Sequence, residues 1–312
     1  MKTKTIFWGA FFITLGLLFL LNNLGSLNYE FYNLLKFWPA FIVLLGLALL
    51  FKGSVFKSFF SGLAAIILAL TIFAGFSSAK YFFTDEFNWS EHDLDNDNLV
   101  IIRDKEHKYS TFSEDYNPSY KKAKLYFNSV AGAFKIKQTT NKLFFVNSEG
   151  IKYNYSFKTE DDNFAIINFW GKHNIRWFKK NFRNRTAIEL NTNPAWILDF
   201  ELGACAMDFD LTPYDIKELN FEIGAASLKL KLGVPKEETR VIIDAGASSI
   251  NISIPQSVGS EIDADISLSS KNFEGFYKIK SGLYRTPNFK EAVKKIYFNI
   301  DSGVSSIIIS RR

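Results

Sequence analysis

The stretch FEIGAASLKLKLG, residues 221–233, decides the fold predicted for this chain. Its apolar residues alternate with polar ones on both sides of four very small residues, Gly224-Ala225-Ala226-Ser227. Alternation of this kind is typical of a strand with one buried face. Small residues inside a strand pattern indicate a sharp bend or the close approach of another backbone. The stretch therefore predicts two short strands joined at a tight corner.

The same pattern recurs around other glycines. Gly203 and Gly246 match Gly224 at all five apolar positions, which lie three and one before and four, six and eight after the glycine. Gly303 matches at three of these positions and Gly132 at only two. The first three glycines are 21 and 22 residues apart, a period that indicates stacked supersecondary units. We therefore predict an all-β, solenoid-like stack of short strands over residues 191–312.

The alternation also assigns side chains to the two sides of each strand. Residues four, six and eight after each glycine should line the interior. The outward-facing set should include Lys229, Lys231, Asn251 and Ser253. The terminal pair Arg311-Arg312 is expected to end the stack and to discourage edge-to-edge growth.

Residues 98–190 form a second β-rich segment, in which runs such as IKYNYSFK (151–158) alternate apolar and polar residues. This segment is either a degenerate continuation of the stack or a distinct subdomain.

The N-terminal region, residues 1–79, is predicted to be a transmembrane helical region with spans at about 5–21, 35–51 and 55–76. A linker follows at 80–97. Lysines flank the first span and occupy the connection between the second and third spans, which places both in the cytoplasm by the positive-inside tendency. The protein is therefore expected to be a multi-pass cell-membrane protein with an extracytoplasmic C-terminal domain.

The distribution of charge argues against nucleic-acid binding. The net charge of +5 arises within residues 1–80, which contain six lysines and one acid, and the rest of the chain has equal numbers of basic and acidic residues. The basic balance therefore belongs to the flanks of the membrane spans.

Residues 93–104, DLDNDNLVIIRD, are a weak candidate for a calcium loop, with Asp93, Asp95, Asp97 and Asp104 at ligand positions. The flanks lack paired amphipathic helices, and an acidic linker between membrane and domain is the favoured interpretation. We expect no metal and no cofactor.

Residues 172–185 contain six basic residues interleaved with aromatic ones and no acid. Such a segment suits anionic lipid headgroups, an anionic wall polymer or a protein partner. The alternative is a solvated loop with aromatic residues tucked into the domain. The candidate contact residues are Lys172, Arg176, Trp177, Lys179, Lys180, Arg183 and Arg185.

No pattern in the sequence indicates an enzyme. The three histidines have no ligand spacing, the single cysteine, Cys205, excludes an internal disulfide, and nucleotide-binding and hydrolase motifs are absent. We expect a non-enzymatic protein.

The chain resembles a known family at both ends. The runs FWGAFFITLGLLFLLNNLG (7–25) and KFWPAFIVLLGLALL (36–50) resemble the LiaI/LiaF-like transmembrane region. The C-terminal part resembles the LiaF C-terminal and toastrack β-repeat domains, and the runs that carry this resemblance are GACAMDFDL, FEIGAASLKLKLG, DAGASSINISIP and GLYRTPNFKEAVKKIYFNIDSGVSSIII.

This resemblance implies a bacterial membrane protein of the cell-envelope stress response. It would modulate a sensor histidine kinase that responds to cell-wall-active antibiotics, through protein–protein contacts and without chemistry of its own. The three predicted spans depart from the even number that would place both ends of the chain in the cytoplasm. The alternative function is an envelope structural or adhesion module that binds anionic wall polymer or lipid.

Overall fold

The computed structural model describes residues 3–23, 38–51, 55–85, 109–161, 163–171, 184–267 and 270–312. The chain divides into two compact units, Met1–Trp89 and Ser90–Arg312. The first unit is helical and the second is built from strands.

The helical unit contains α1 (Thr3–Asn23), α2 (Trp38–Leu50) and α3 (Val55–Asp85). Within α3, residues Val55–Ala74 form the one helical stretch among the described residues that is long and apolar enough to cross a bilayer. The apolar stretches of α1 and α2 are shorter. The helix α3 also continues beyond the predicted third span into the predicted linker. Membrane association follows from this region, whereas the three-span count and the orientation stay predictions.

Small residues of α3, both alanines and Gly62, lie where the helices pack, and a methyl group added at Gly62 would meet Ile6 of α1 at 3.8 Å. The helix α3 contacts both α1 and α2. Ala65 and Ala69 of α3 are fully buried and form a small cluster with Phe11 of α1. Small side chains let helices approach closely in an apolar environment. By contrast, a methyl group added at Gly9 or Gly16 of α1 would meet no atom within 4 Å.

The second unit contains fourteen strands among its described residues, and they belong to a single sheet. They are β1 (Tyr109–Glu114), β2 (Lys122–Ile136), β3 (Phe144–Glu149), β4 (Tyr153–Glu160), β5 (Phe164–Gly171), β6 (Arg185–Leu190), β7 (Ala195–Leu211), β8 (Asp215–Leu232), β9 (Glu238–Ile254), β10 (Gly259–Ile266), β11 (Ser270–Phe273), β12 (Tyr277–Lys280), β13 (Leu283–Arg285) and β14 (Lys295–Arg311).

The long strands β2, β7, β8, β9 and β14 are stacked in parallel, in register along nearly their whole length. Each bends at its middle, so that the residues before and after the bend pack against each other across a shared core. In β7, for example, the rings of Phe200 and Phe209 lie 4.9 Å apart across the bend. We call each bent strand a rung, the halves before the bend the first layer, and the halves after it the second layer.

The predicted solenoid-like stack is confirmed, and its interior is the predicted one. Residues four, six and eight after each repeat glycine are buried in β7, β8 and β9, for example Leu228, Leu230 and Leu232. Lys229 and Lys231 are exposed, as the alternation predicts. Burial of these apolar side chains between the two layers therefore stabilises the stack that the 21- to 22-residue repeat predicts.

The upstream β-rich segment continues the stack. The strand β2 is a full rung beside β7, and β5 and β6 pair in parallel with its first and second halves. Together β5 and β6 form one rung whose corner is replaced by residues 172–183. The antiparallel strands β4, β3 and β1 cover this end of the sheet. Of the two sequence-based alternatives, the structure shows the continuation, so segments 98–190 and 191–312 share one sheet.

The other end of the stack departs from chain order. After β9 the chain skips one position, forms the last rung from β10 and β11, and adds the β12–β13 hairpin. The C-terminal strand β14 then fills the skipped position between β9 and the β10–β11 rung. The expectation that Arg311-Arg312 ends the stack is therefore wrong, because β14 is an internal strand. The long interval between Gly246 and Gly303 contains a whole rung and a hairpin.

Candidate functional site at the corner of the stack

The four repeat glycines lie in one column along the corner. Gly203 pairs with Gly224 by register, and Gly246 and Gly303 continue the line. A β-carbon built at Gly224, Gly246 or Gly303 would lie 2.6–2.8 Å from the carbonyl oxygen of the preceding glycine in the column. Real side chains do not approach a backbone oxygen so closely, so this corner accepts only hydrogen. The column gives the domain a smooth ridge with no side chains.

Val130 shows where the requirement for glycine begins. By register it occupies the glycine position of β2, one rung before Gly203. The rung on its other side is the β5–β6 rung, which has residues 172–183 in place of a corner. The weak sequence match at Gly132 was therefore misplaced by two residues, since Gly132 pairs with Cys205 and not with Gly203.

The interrupted corner is held by a buried polar network. Asn184 is fully buried, and its side-chain amide donates a hydrogen bond to the carbonyl oxygen of Ala131. The hydroxyl group of Tyr153 lies 3.1 Å from Asn184 Oδ1 and 3.1 Å from Ser129 Oγ. Burial raises the pKa of Tyr153, although these hydrogen bonds oppose the rise. Gly132 leaves room for Asn184, because any side chain there would overlap it. The network fixes the point where the basic segment re-enters the stack.

Six of the seven candidate contact residues of the basic segment, Lys172 to Arg183, lie outside the described residues. The structure places their ends, because β5 ends at Gly171 and Asn184 precedes β6. Arg185, the seventh, is the first residue of β6 and lies half-buried, opposite Glu149 of β3 and Ala133 of β2. Residues 172–183 are thus inserted at one end of the glycine corner, and we call them the corner insertion.

The metal candidates Asp93, Asp95, Asp97 and Asp104 also lie outside the described residues. Within the described parts of the chain, no group of three or more metal-ligating side chains is close enough to hold an ion.

A column of like charges runs along the first layer, two residues before the glycine column. Its members are exposed carboxylates that lie side by side on neighbouring parallel strands. We call this set the acidic column: Glu201, Glu222, Asp244, Asp301 and Asp265. Neighbouring strands are about 4.8 Å apart, so each carboxylate faces another of the same sign.

The cations of the first layer are engaged away from the acidic column. Lys124 forms an ion pair with Asp199 at 2.8 Å, and Arg240 pairs with Glu238 at 3.2 Å. Among the residues that the structure describes, Glu201 alone of the column has a polar partner close by, the side-chain amide of Asn128 at 2.6 Å. The second layer differs, since Asp208 pairs there with Lys137 at 2.9 Å and Asp210 with Lys231 at 3.7 Å. The two faces of the stack therefore have different charge patterns.

Comparisons with known proteins address both units of the chain. The family model described as the LiaI-LiaF-like transmembrane region matches residues 6–50. The model described as the N-terminal domain of toast_rack, DUF2154, matches residues 100–253. The chain is a LiaF-like protein with a toast-rack domain. Its family membership thus agrees with the resemblance carried by the membrane runs and the glycine repeats.

Solved structures support the fold of the LiaF-like chain. A crystal structure of a candidate cell adhesion protein from Clostridium sporogenes aligns with a TM-score of 0.61 and 23% identity, over 66% of this chain and all of that one. At this identity the likeness shows the fold alone. A candidate lipid-binding protein from Parabacteroides distasonis aligns with a TM-score of only 0.17 and 8% identity over 66% of this chain and 95% of that one, and carries no argument. No curated protein matches the chain.

Sequence reasoning missed two features of this LiaF-like domain. The acidic column is visible in the sequence only once the glycines are aligned, because its members all lie two residues before a corner. The corner insertion was visible as a basic segment, but its position in the stack required the pairing of β5 and β6 with the two halves of β2. That pairing depends on long-range contacts, which a local pattern does not encode.

Proposed function

We propose that this LiaF-like protein is a non-enzymatic membrane regulator that modulates a two-component sensor kinase of the bacterial cell-envelope stress response. The observation that carries the proposal is the combination, in one chain, of the LiaI-LiaF-like transmembrane region with a toast-rack domain. The family resemblance implies the role, and the stacked domain suits it, because its faces are built in a fixed register.

Such a regulator acts by differential binding. A kinase with two conformations shifts toward the one that the regulator binds more tightly, and a protein with equal affinity for both shifts nothing. A shift between largely off and largely on needs a difference of about 5.5 kcal/mol between the two affinities. Rigid register-built faces and membrane helices can supply this difference without any reaction.

The helix α1 offers a surface for lateral contact in the membrane. Gly9 and Gly16 lie seven residues apart and hence on one face of the helix, with open space beside them. Phe12 and Ile13 on the same side are exposed. In lipid, glycines permit a partner helix to approach closely.

A reconstituted kinase assay tests the regulatory role. The full chain is placed in nanodiscs together with each histidine kinase of the same bacterium, and the autophosphorylation rate is measured with and without the chain. We expect the rate of one kinase to change several-fold. Gly9→Leu with Gly16→Leu should weaken this effect, whereas the control Ile13→Leu, which keeps the volume, should not. Unchanged rates for every kinase would contradict the proposal.

A second candidate is an envelope adhesion module that binds anionic wall polymer through the corner insertion. Two observations favour it: residues 172–183 contain five bases and no acid, and the structural neighbour from Clostridium is described as a candidate cell adhesion protein. Phosphate-rich polymers attract such segments by charge.

Neutralising the insertion separates the two candidates. Its five bases, Lys172, Arg176, Lys179, Lys180 and Arg183, are changed to Gln. The control changes five lysines elsewhere on the domain to Gln: Lys122, Lys158, Lys271, Lys278 and Lys280. An adhesion module should lose cosedimentation with purified cell wall in the first variant only. A regulator tethered by its helices should keep its effect on the kinase in both variants.

A further inference from the structure

The stack has one seam that follows from its topology. Strands β7, β8 and β9 are added in chain order, each beside its predecessor. Within the described part of the chain, β11 pairs only with β14, and β10 pairs only with β14 and β13. The described strands after β9 are therefore joined to the rest of the sheet through the β9–β14 pairing. In stacked proteins, stability is roughly a sum of such neighbour interfaces.

The core becomes less aromatic on approaching this seam. Three residues before the corner, the successive rungs β2, β7 and β8 have Phe127, Phe200 and Phe221, whose rings contact one another at 5.4–6.0 Å. The next two rungs have Ile243 and Ile300 at this position. Aromatic contacts add to the energy of burial, so the β8–β9 and β9–β14 interfaces lack a contribution that the β2–β7 and β7–β8 interfaces have.

Buried and half-buried serines line the seam beside the corner. Two residues after the glycine, β7 and β8 have Cys205 and Ala226, whereas β9 and β14 have Ser248 and Ser305, with their hydroxyl oxygens 2.9 Å apart. Ser302 also donates a hydrogen bond to the carbonyl oxygen of Ala245 at 3.1 Å. These bonds satisfy the hydroxyls, but they replace apolar contacts that stabilise the other rungs.

Arg312 fastens β14 across the seam. Arg312 donates from its guanidinium to the carbonyl oxygen of Leu232 at 3.2 Å and from its backbone to Ile254 at 2.9 Å. Arg311 donates to the carbonyl oxygen of Gln256 and to Asn288 Oδ1. Leu232 and Ile254 are the last residues of β8 and β9, so the bonds of Arg312 cross the seam. Gln256 and Asn288 lie in the turn after β9 and in the link that leads to β14, so Arg311 ties β14 to segments on its own side of the seam.

We propose that residues 255–312 form a unit that separates from and rejoins the stack at the β9–β14 seam, with Arg312 as its latch. Opening would expose the edge of β9 and release β10 to β14 together, while β2, β7 and β8 stay paired. The unit is the kind of two-state element whose population a bound partner can shift. This proposal does not depend on the kinase role, since it rests on the stack alone.

Hydrogen exchange of the full chain in detergent micelles or nanodiscs tests the latch. We expect amides of β10, β11 and β14 to exchange together, at least tenfold faster than those of β7 and β8. Arg312→Ala should accelerate the unit by about a further tenfold, as expected for losing a hydrogen bond from a charged donor. The control Arg240→Ala removes an exposed arginine of β9 and should change neither group.

A disulfide across the seam should have the opposite effect on the exchange rate of the unit. In a Cys205→Ala background, Ser248→Cys with Ser305→Cys places two thiols where hydroxyl oxygens are 2.9 Å apart. Oxidation should slow the unit to the rate of β7 and β8, and reduction should restore the difference. Equal exchange of β14 and β8 in the unmodified chain would overturn the proposal. Equal acceleration of all strands by Arg312→Ala would also overturn it.

Discussion

The choice of residue at each corner is set by a carbonyl oxygen of the neighbouring rung. At Gly224, Gly246 and Gly303, a side chain would replace an α-hydrogen that points toward the carbonyl oxygen of the preceding glycine in the column. The repeat of small residues was therefore sufficient to predict the column from sequence. The side chain at position 130 could not be predicted in the same way. A valine is tolerated there because the adjacent rung is interrupted, which only the fold shows.

A methyl group in this column should destabilise the domain. In Gly246→Ala the β-carbon would lie 2.6 Å from the oxygen of Gly224, so the strands must shift apart. Overpacking of this kind costs about 1–3 kcal/mol in the free energy of unfolding. Denaturant titration of the full chain in detergent, followed by fluorescence of the buried Trp196, measures it. The control Ala247→Ser, at an exposed neighbour, should change the free energy by less than about 0.5 kcal/mol.

Cys205 should be inert in the folded protein. The residue is fully buried two positions after Gly203, and burial raises the pKa of its thiol, so little thiolate forms near neutral pH. We expect no reaction with an aromatic disulfide reagent in the native state and full reaction in denaturant. The control Ser257→Cys, at an exposed turn, should react at once in both states. Rapid native labelling of Cys205 would contradict the packed corner.

At the scale of a strand, register determines which charges meet. Parallel in-register stacking brings residues that are 21 or 22 positions apart side by side, so a charge repeated with that period meets its own sign. The acidic column is the result, with Asp244 between Glu222 and Asp301. Like charges directly opposite each other destabilise neighbouring strands. The alternation predicted that these side chains face outward, but their mutual repulsion follows only from the register.

Neutralising the middle of the acidic column should stabilise the stack. Asp244→Asn removes repulsion from both neighbours and should raise the free energy of unfolding by about 0.5 kcal/mol at low salt. The gain should shrink in about 1 M salt, where screening shortens the range of charge interactions. The matched control Asp208→Asn, on the second layer, removes the ion pair with Lys137 and should not stabilise. A gain that is independent of salt would show that repulsion is not the cause.

At the scale of the whole molecule, the sequence predicts the features that depend on local contacts and does not predict those that depend on long-range contacts. Helical runs, the two-strand repeat and its interior side chains follow from periods of a few residues. The insertion of β14 between β9 and the β10–β11 rung does not, because Gly303 fits the repeat equally well at the end of the stack or inside it. The same limit applies to the membrane topology. Helix length and lysine positions predict an orientation in the bilayer, but the packing of residues within each unit does not test it.

The orientation of the toast-rack domain is open to a direct test by thiol labelling in cells. Three spans with cytoplasmic lysines predict that the toast-rack domain lies outside the cytoplasm. Ser257→Cys in a Cys205→Ala background introduces one exposed thiol between β9 and β10. A membrane-impermeant maleimide should label it in intact cells as fully as in permeabilised ones. The matched control, a cysteine in place of Lys52 in the connection predicted to be cytoplasmic, should be labelled only after permeabilisation. Reversed labelling of the two sites would place the domain on the cytoplasmic side and contradict the predicted orientation.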